Sequence, residues 1–363
     1  MNSAPKPFDC EYSPQFAELL HKLGISLAIS TYQANKVIVL SAIESDKLIQ
    51  LPRTFNSPMG MATAKDSLAI ATRNEVIVLR NNSGLAKSYP KKPDVYDGLY
   101  VPRSRYNTGY VAMHDMMFGE DGLAIIGINT LFSCVCKIDH QYSFTPIWKP
   151  PFITELASED RCHLNGLASE NGEIKYVTAL GNTNSMQGWR DGKMNGGIVM
   201  EYPSGKIIKD GLGMPHSPRI YDGKLYVLNS TQGELIKIDP ETGSHEVICQ
   251  LGGFARGMSR HGDYLFIGVS KLRHNSWAFK DLPIAESSFA GVVAVYLPYG
   301  SVVGSFKYQM TVDEIYDVKV LPELKRPSIL SPDMDIHQQA LSIPGAALWG
   351  ASDKPKQPTT INN

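Results

Sequence analysis

His114, His163 and His216 each stand at the start of an apolar segment, in the runs "VAMHDMM", "DRCHLNG" and "MPHSPR". A neutral imidazole offers a ring-nitrogen lone pair to zinc, iron or copper. Three imidazoles from successive repeat units predict a divalent transition-metal site with open positions for substrate. When the repeats are aligned, His114 and His216 coincide and His163 falls one residue early. The competing expectation is that these imidazoles hydrogen-bond to loop backbone. Asp115, Asn165, Glu314 and Asp317 form a second, calcium-like alternative built from oxygen donors.

These histidines have polar company. Asp115, Asn165, Arg219, Arg256, Glu314 and Asp317 occupy the same ends of otherwise apolar strands, a costly arrangement as packing and a favourable one around a metal, water or polar ligand. Arg256 and Arg219 suit an anionic substrate group or developing negative charge. Arg256, Asp317, Glu314 and Tyr316 form the catalytic set, the last three as candidate acid or base. Substrate contacts are expected from Arg219, Arg73, Asp115, Asn165, Asn182, Trp189, Arg190 and Asn229. Asn in tight links is first a backbone device, and Trp189, like Trp277, is either a lid or a loop anchor.

The elements that hold these residues repeat. "SPRIYDGKLYVLNSTQGELIKIDPETGSHEVICQL" contains four apolar strands separated by Asp-Gly, Gln-Gly and Glu-Thr-Gly breaks, and hairpin turns favour these residue types. The pattern recurs about every 40–60 residues, a propeller-like period. The first unit has three strands, and its innermost strand is supplied from Ile315 to Glu323 at the far end of the chain. The prediction is an all-β, six-bladed propeller over residues 1–323, with its first blade completed by both chain ends. A short amphipathic helix is expected over about 13–24. Residues 324–363 read as an irregular tail whose last dozen are disordered.

Two long insertions, Gly181–Gly197 and Lys271–Gly291, are links between second and third strands. Both rise over the face that receives "GYVAMHDMM", "ITELASEDRCHLNG" and "GLGMPHSPR". Long loops gathered over one mouth of a ring usually build a ligand site.

Composition excludes other classes. Lys and Arg total 35 against 36 Asp and Glu in 363 residues. That balance gives no global field for nucleic acid or an anionic membrane. No apolar run reaches the roughly 18 residues of a membrane span, and no signal pattern opens the chain. Five scattered cysteines suggest reduced thiols, and hence a cytoplasmic protein. No Gly-Lys-Ser/Thr phosphate loop, Gly-x-Ser-x-Gly elbow or Cys-x-x-Cys pair is present.

The runs "YSPQFAELLHKLGISLAISTYQANKVIVL", "HDMMFGEDGLAIIGINTLFSCVCKID", "RCHLNGLA", "GMPHSPR" and "GFARGM" resemble a bacterial family of conserved hypothetical propeller proteins of unknown function, over roughly residues 8–323. The resemblance implies the fold and supplies no reaction. In architecture the chain is also similar to six-bladed lactonases and lyases, among them peptidyl-hydroxyglycine lyases, which hold zinc on channel histidines near an arginine. That is an analogy between folds. The expected function is a metal-dependent lyase, hydrolase or oxygenase acting on a small or peptide-borne anionic substrate. The alternative is a non-catalytic module that binds a peptide or partner protein on the same face. Neither the oligomeric state nor the reaction is legible.

Overall fold

The computed structural model describes residues 6–272, 282, 284 and 288–351. Six antiparallel sheets form the blades of a propeller. Blade 1 runs outward as Asp317–Leu321, Ser26–Thr31, Lys36–Glu44 and Lys47–Thr54, so both chain ends contribute to it as expected. Blades 2 to 6 begin at the innermost strands Met61–Ala64, Met113–Phe118, Leu164–Glu170, Pro215–Tyr221 and Phe254–His261.

The turn residues act as their types require. Asp222 and Gly223 both have positive φ, at 51° and 70°, the geometry of a two-residue hairpin turn that matches strand twist. The innermost strands start on one face, here the upper one, and their hairpin turns lie below.

Helix α1, Pro14–Leu23, buries Phe16 and Leu20 completely. Phe16 packs against Phe266 and Phe306, with ring centroids 6.4 Å and 6.2 Å away. The helix thus covers the junction where the ring closes between blades 6 and 1. Cys10–Tyr12 adds a fifth strand to blade 6. No helix among the described residues is long and apolar enough to cross a membrane.

The tail differs from the irregular segment expected. Pro327–Ile329 pairs in parallel with Gly98–Tyr100 at the edge of blade 2, and Ala340–Ile343 pairs with Ala346–Trp349 as a hairpin. Leu330, Ile336 and Trp349 join Leu85, Tyr89 and Leu99 in a small separate core. These apolar runs are too short to show a period in sequence, and the edge they pair with lies far away in the chain. Residues 352–363, where disorder was expected, and Trp277 lie outside the described residues.

Side chains stitch neighbouring blades around the axis. Ser30, Thr130, Ser230 and Ser270 donate across blade junctions to the carbonyls of Met59 (2.6 Å), Leu164 (2.6 Å), Ala255 (2.7 Å) and Ile315 (3.0 Å). Asn165 Nδ2 reaches Pro215 O at 2.9 Å between blades 4 and 5. Between blades 2 and 3 the backbone serves, Gly60 N donating to Met113 O at 3.3 Å.

Ser270 Oγ also accepts from Ile315 N at 3.0 Å, so one hydroxyl satisfies two buried backbone groups of the closing segment. Ser270→Ala leaves both without partners. Urea unfolding should report a loss of roughly 1–3 kcal/mol, and an unchanged midpoint would contradict this role for the junction.

Candidate functional site

An extra residue in four innermost strands sets the geometry of the upper mouth. Register shifts fall between Met113 and Met116, Leu164 and Gly166, His216 and Arg219, and Arg256 and Met258. A bulge breaks the alternation of side chains and re-aims them. It is how the adjacent residues His114 and Asp115 both line the channel. In blade 6 the bulge is Gly257, at φ 74°, where a Cβ would come within 2.6 Å of Asp317 Cα and Val318 N. Only glycine brings blade 6 this close to blade 1.

His114 Nδ1 lies 2.7 Å from both Ala112 O and Thr130 Oγ1. Because a carbonyl only accepts and the Thr130 hydroxyl already donates to Leu164 O, Nδ1 carries the proton. Blade 5 repeats the device: His216 Nδ1 donates to Met214 O (2.8 Å) and Ser230 Oγ (2.9 Å). Among the described residues the Nε2 atom of His216 is buried with no partner. Burial above all, with the Arg256 guanidinium adding positive charge nearby, holds both imidazoles well below their ordinary pKa and therefore neutral.

His163 is placed differently: it stands two residues before the position of the other histidines, one more than the aligned repeats give, and the backbone shows why. Ala112 and Met214 have left-handed φ of 50° and 48°, two residues before His114 and His216. His163 itself has φ 50°, two residues before Asn165. Asn165 therefore takes the position that histidine takes in blades 3 and 5, and His163 stands at the turn. Its Nδ1 donates to Asp160, whose carboxylate oxygens are both 2.9 Å away. Trp189 Nε1 donates to the same carboxylate at 3.0 Å, and the indole packs on His163 with centroids 4.5 Å apart. The Gly181–Gly197 insertion thus delivers one buried indole to one side of His163. His163 meets His114 edge to face at 4.7 Å.

Arg256 closes the opposite side. It pairs with Glu314 at 3.0 Å and lies over the rings of Tyr316 and Phe254. Arg256 Nε and Tyr316 Oη are buried without a partner among the described residues. Burial raises the Tyr316 pKa well above its usual value despite Arg256, so the phenol stays protonated. His114, His216, Arg256 and Tyr316 surround a cavity of about 10 Å³, room for about one water-sized sphere.

Below this cavity the channel is plugged. Arg219 holds Asp115 through two contacts, at 2.7 Å and 3.0 Å. Asp115 also accepts from Met116 N and Leu167 N. Lys319 Nζ lies 3.1 Å from Asp317, which accepts from Met61 N and Val318 N. Burial raises the Asp317 pKa, offset in part by Lys319.

Several sequence expectations therefore change. Arg219 and Asp115 are turned on each other, Asp317 holds backbone amides, and Asn165 bridges Thr178 and Pro215. These bonds hold the blades together, and among the described residues none of the four has a buried polar atom without a partner at the upper mouth. Asn229 fixes its own link, accepting from Gly213 N and donating to Glu234. Arg73 is exposed and lies over Tyr110, Arg190 lies over Trp189, and Asn182 is exposed. Of the four cations, only Arg256 enters the small cavity with an unpartnered donor. Sequence reasoning did not single out Asp160, Thr130 and Ser230. The last two carry a signal: Asn129-Thr130 and Asn229-Ser230 end equivalent second strands, each beside a channel histidine.

The ring and its plugged channel define a six-bladed β-propeller with a polar upper mouth. The chain belongs to the family described as Domain of unknown function (DUF4915), whose model matches residues 14–330. No curated protein matches it. Among solved structures it is similar to a chain of a nidogen/laminin complex, at 12% identity and TM-score 0.53, with 82% of this chain and 99% of that one covered. A protein of unknown function from Bacteroides caccae matches at 11% identity and TM-score 0.50, with 82% and 98% covered. At these identities the likeness concerns the fold alone.

The neutral histidines give stability a pH dependence. Their folded pKa values lie below the unfolded value, so the unfolded chain takes up protons first and stability is complete only above about pH 6.5. Acidifying to pH 5 should lower the urea midpoint, by up to about 1.4 kcal/mol per pH unit for each histidine. The slope should be shallower in His216→Gln. A midpoint that does not move between these pH values would show that the imidazoles are not held neutral.

Proposed function

We propose that the upper mouth is the active site of a metal-dependent enzyme of lyase, hydrolase or oxygenase type, acting on a small or peptide-borne anionic substrate. The Nε2 atoms of His114, His163 and His216 would hold a divalent transition metal ion such as zinc, iron or copper. One observation carries this reading: each Nδ1 donates to a protein acceptor, the tautomer and support typical of metal-binding histidine. The unpartnered His216 Nε2 and an ion-sized cavity lined by His114 and His216, though not by His163, fit the same group.

As they stand, the described residues contain no group of three His, Cys, Asp or Glu side chains that could hold a metal ion, so binding would have to draw the three rings inward. A bound ion would supply Lewis-acid polarisation or a more acidic water. The chain's own residues then divide the work. Arg256 orients an anionic group with its free Nε donor. The protonated Tyr316 donates a hydrogen bond. Glu314, about one-third exposed and engaged through a single oxygen, is the best placed of the three acid or base candidates. Trp189 shields His163 from one side.

A second reading has its own support. Tyr110, Leu156, Met186 and Met194 are exposed apolar side chains on upper links, as a module that grips a peptide or partner protein would have.

Plasma mass spectrometry on protein purified without chelators separates the two. The enzyme reading expects a near-stoichiometric transition metal that is absent from His114→Ala/His216→Ala. Asp160→Asn should weaken the metal about 10–100-fold, since it removes the carboxylate that supports His163 and leaves the ligands themselves in place. No metal in the parent protein, even after reconstitution, would overturn the metal site and favour the partner-binding module.

A further inference from the structure

Below the plug the channel opens into a funnel of about 730 Å³ on the lower face, a size typical of small-molecule sites. It is separate from the upper mouth: Arg219 forms the floor of the small cavity and the roof of the funnel. The funnel's charge is one-sided. Lys65, Arg80, Arg219, Arg260 and Lys319 line it, against Glu120 and Asp121, and Asp121 is occupied by the backbone amides of Leu123 and Ala124, both at 2.8 Å.

The plug is polarised along the axis. The carboxylates of Asp115 and Asp317 are turned to backbone amides and to their basic partners. Lys319 has three N–H donors, and Asp317 is its one partner among the described residues. Its side chain is only 9% exposed, so solvent access to the remaining donors comes through the funnel. A buried ammonium with spare donors at the bottom of a cavity calls for an anion. Met116, Leu167 and Met258 make part of the wall apolar.

We propose that the lower funnel is a second ligand site, for a small amphipathic organic anion, a carboxylate or phosphate monoester whose head group rests on Lys319 and Arg219 while its apolar body lies against the inner-strand side chains. Arg260, fixed at the rim by Asp222 (2.8 Å) and Gly262 O (2.6 Å), adds charge without belonging to the plug.

Isothermal titration of the full chain with octanoate and with octyl phosphate tests this, beside octanol as the neutral control. The expected result is saturable one-site binding of at least one anion and none of octanol. Affinity should fall at least tenfold in Lys319→Met, several-fold in Lys65→Gln/Arg260→Gln, and not at all in His216→Ala. If Lys319→Met does not fold, the rim double variant carries the test alone, because neither rim residue is buried in the plug. No saturable binding of either anion at millimolar concentration would overturn the proposal. So would binding that survives the rim variant and is lost in His216→Ala, which places the anion in the upper mouth.

Discussion

Six innermost strands turn their free edges toward one axis, and the channel is organised by the need to satisfy those edges. A strand edge without a partner leaves amide and carbonyl groups exposed, and within a closed ring water reaches them poorly. The chain answers with side chains from the neighbouring blade. Asp317 receives Met61 N, Asp115 receives Leu167 N, and Ser217 receives Gly257 N at 2.9 Å. The hydroxyls of Ser30, Thr130, Ser230 and Ser270 treat the carbonyls in the same way.

Once carboxylates are committed to those amides, cations must accompany them. Arg219 and Lys319 do so, and removing one member of such a buried pair costs about 3–5 kcal/mol. The resulting plug divides the channel into an upper mouth of imidazole lone pairs and a lower funnel of basic groups. Polarity that began as structural bookkeeping thus leaves two chemically different cavities. The upper histidines belong to the same logic: Thr130 and Ser230 each accept from an imidazole while donating across a blade junction. Blade closure and the histidine tautomer are set by one pair of hydroxyls.

Much of this was legible in the sequence, because a propeller's repeat is local. The Asp222-Gly223 turn and the strands around it announce a blade, and the far strand Asp317–Leu321 was found because the first unit lacked one. The three histidines and Arg256 were found as polar residues where packing alone would not place them. The roles of Asp115, Arg219 and Asp317 were not legible: each is defined by a partner in another blade, about which spacing along the chain says nothing. The His163 offset was visible, yet its cause is a left-handed backbone at a non-glycine residue, which no residue type announces. The tail escaped because Pro327–Ile329 pairs with an edge more than two hundred residues away in sequence. The lower funnel escaped because its walls come from hairpin turns of several blades, where Lys65 and Arg260 read as ordinary surface charge.

The central claim is that His114 and His216 are neutral, protonated on Nδ1, and present Nε2 to the channel. Long-range proton–nitrogen correlation NMR on protein labelled with 15N-histidine tests it most directly. The account predicts that these two imidazoles are in the Nδ1–H form, assigned by single substitution, with pyridine-like Nε2 signals that persist as the pH falls to about 6 and that shift when zinc is added. Imidazoles protonated on Nε2, or fully charged at neutral pH, would contradict it.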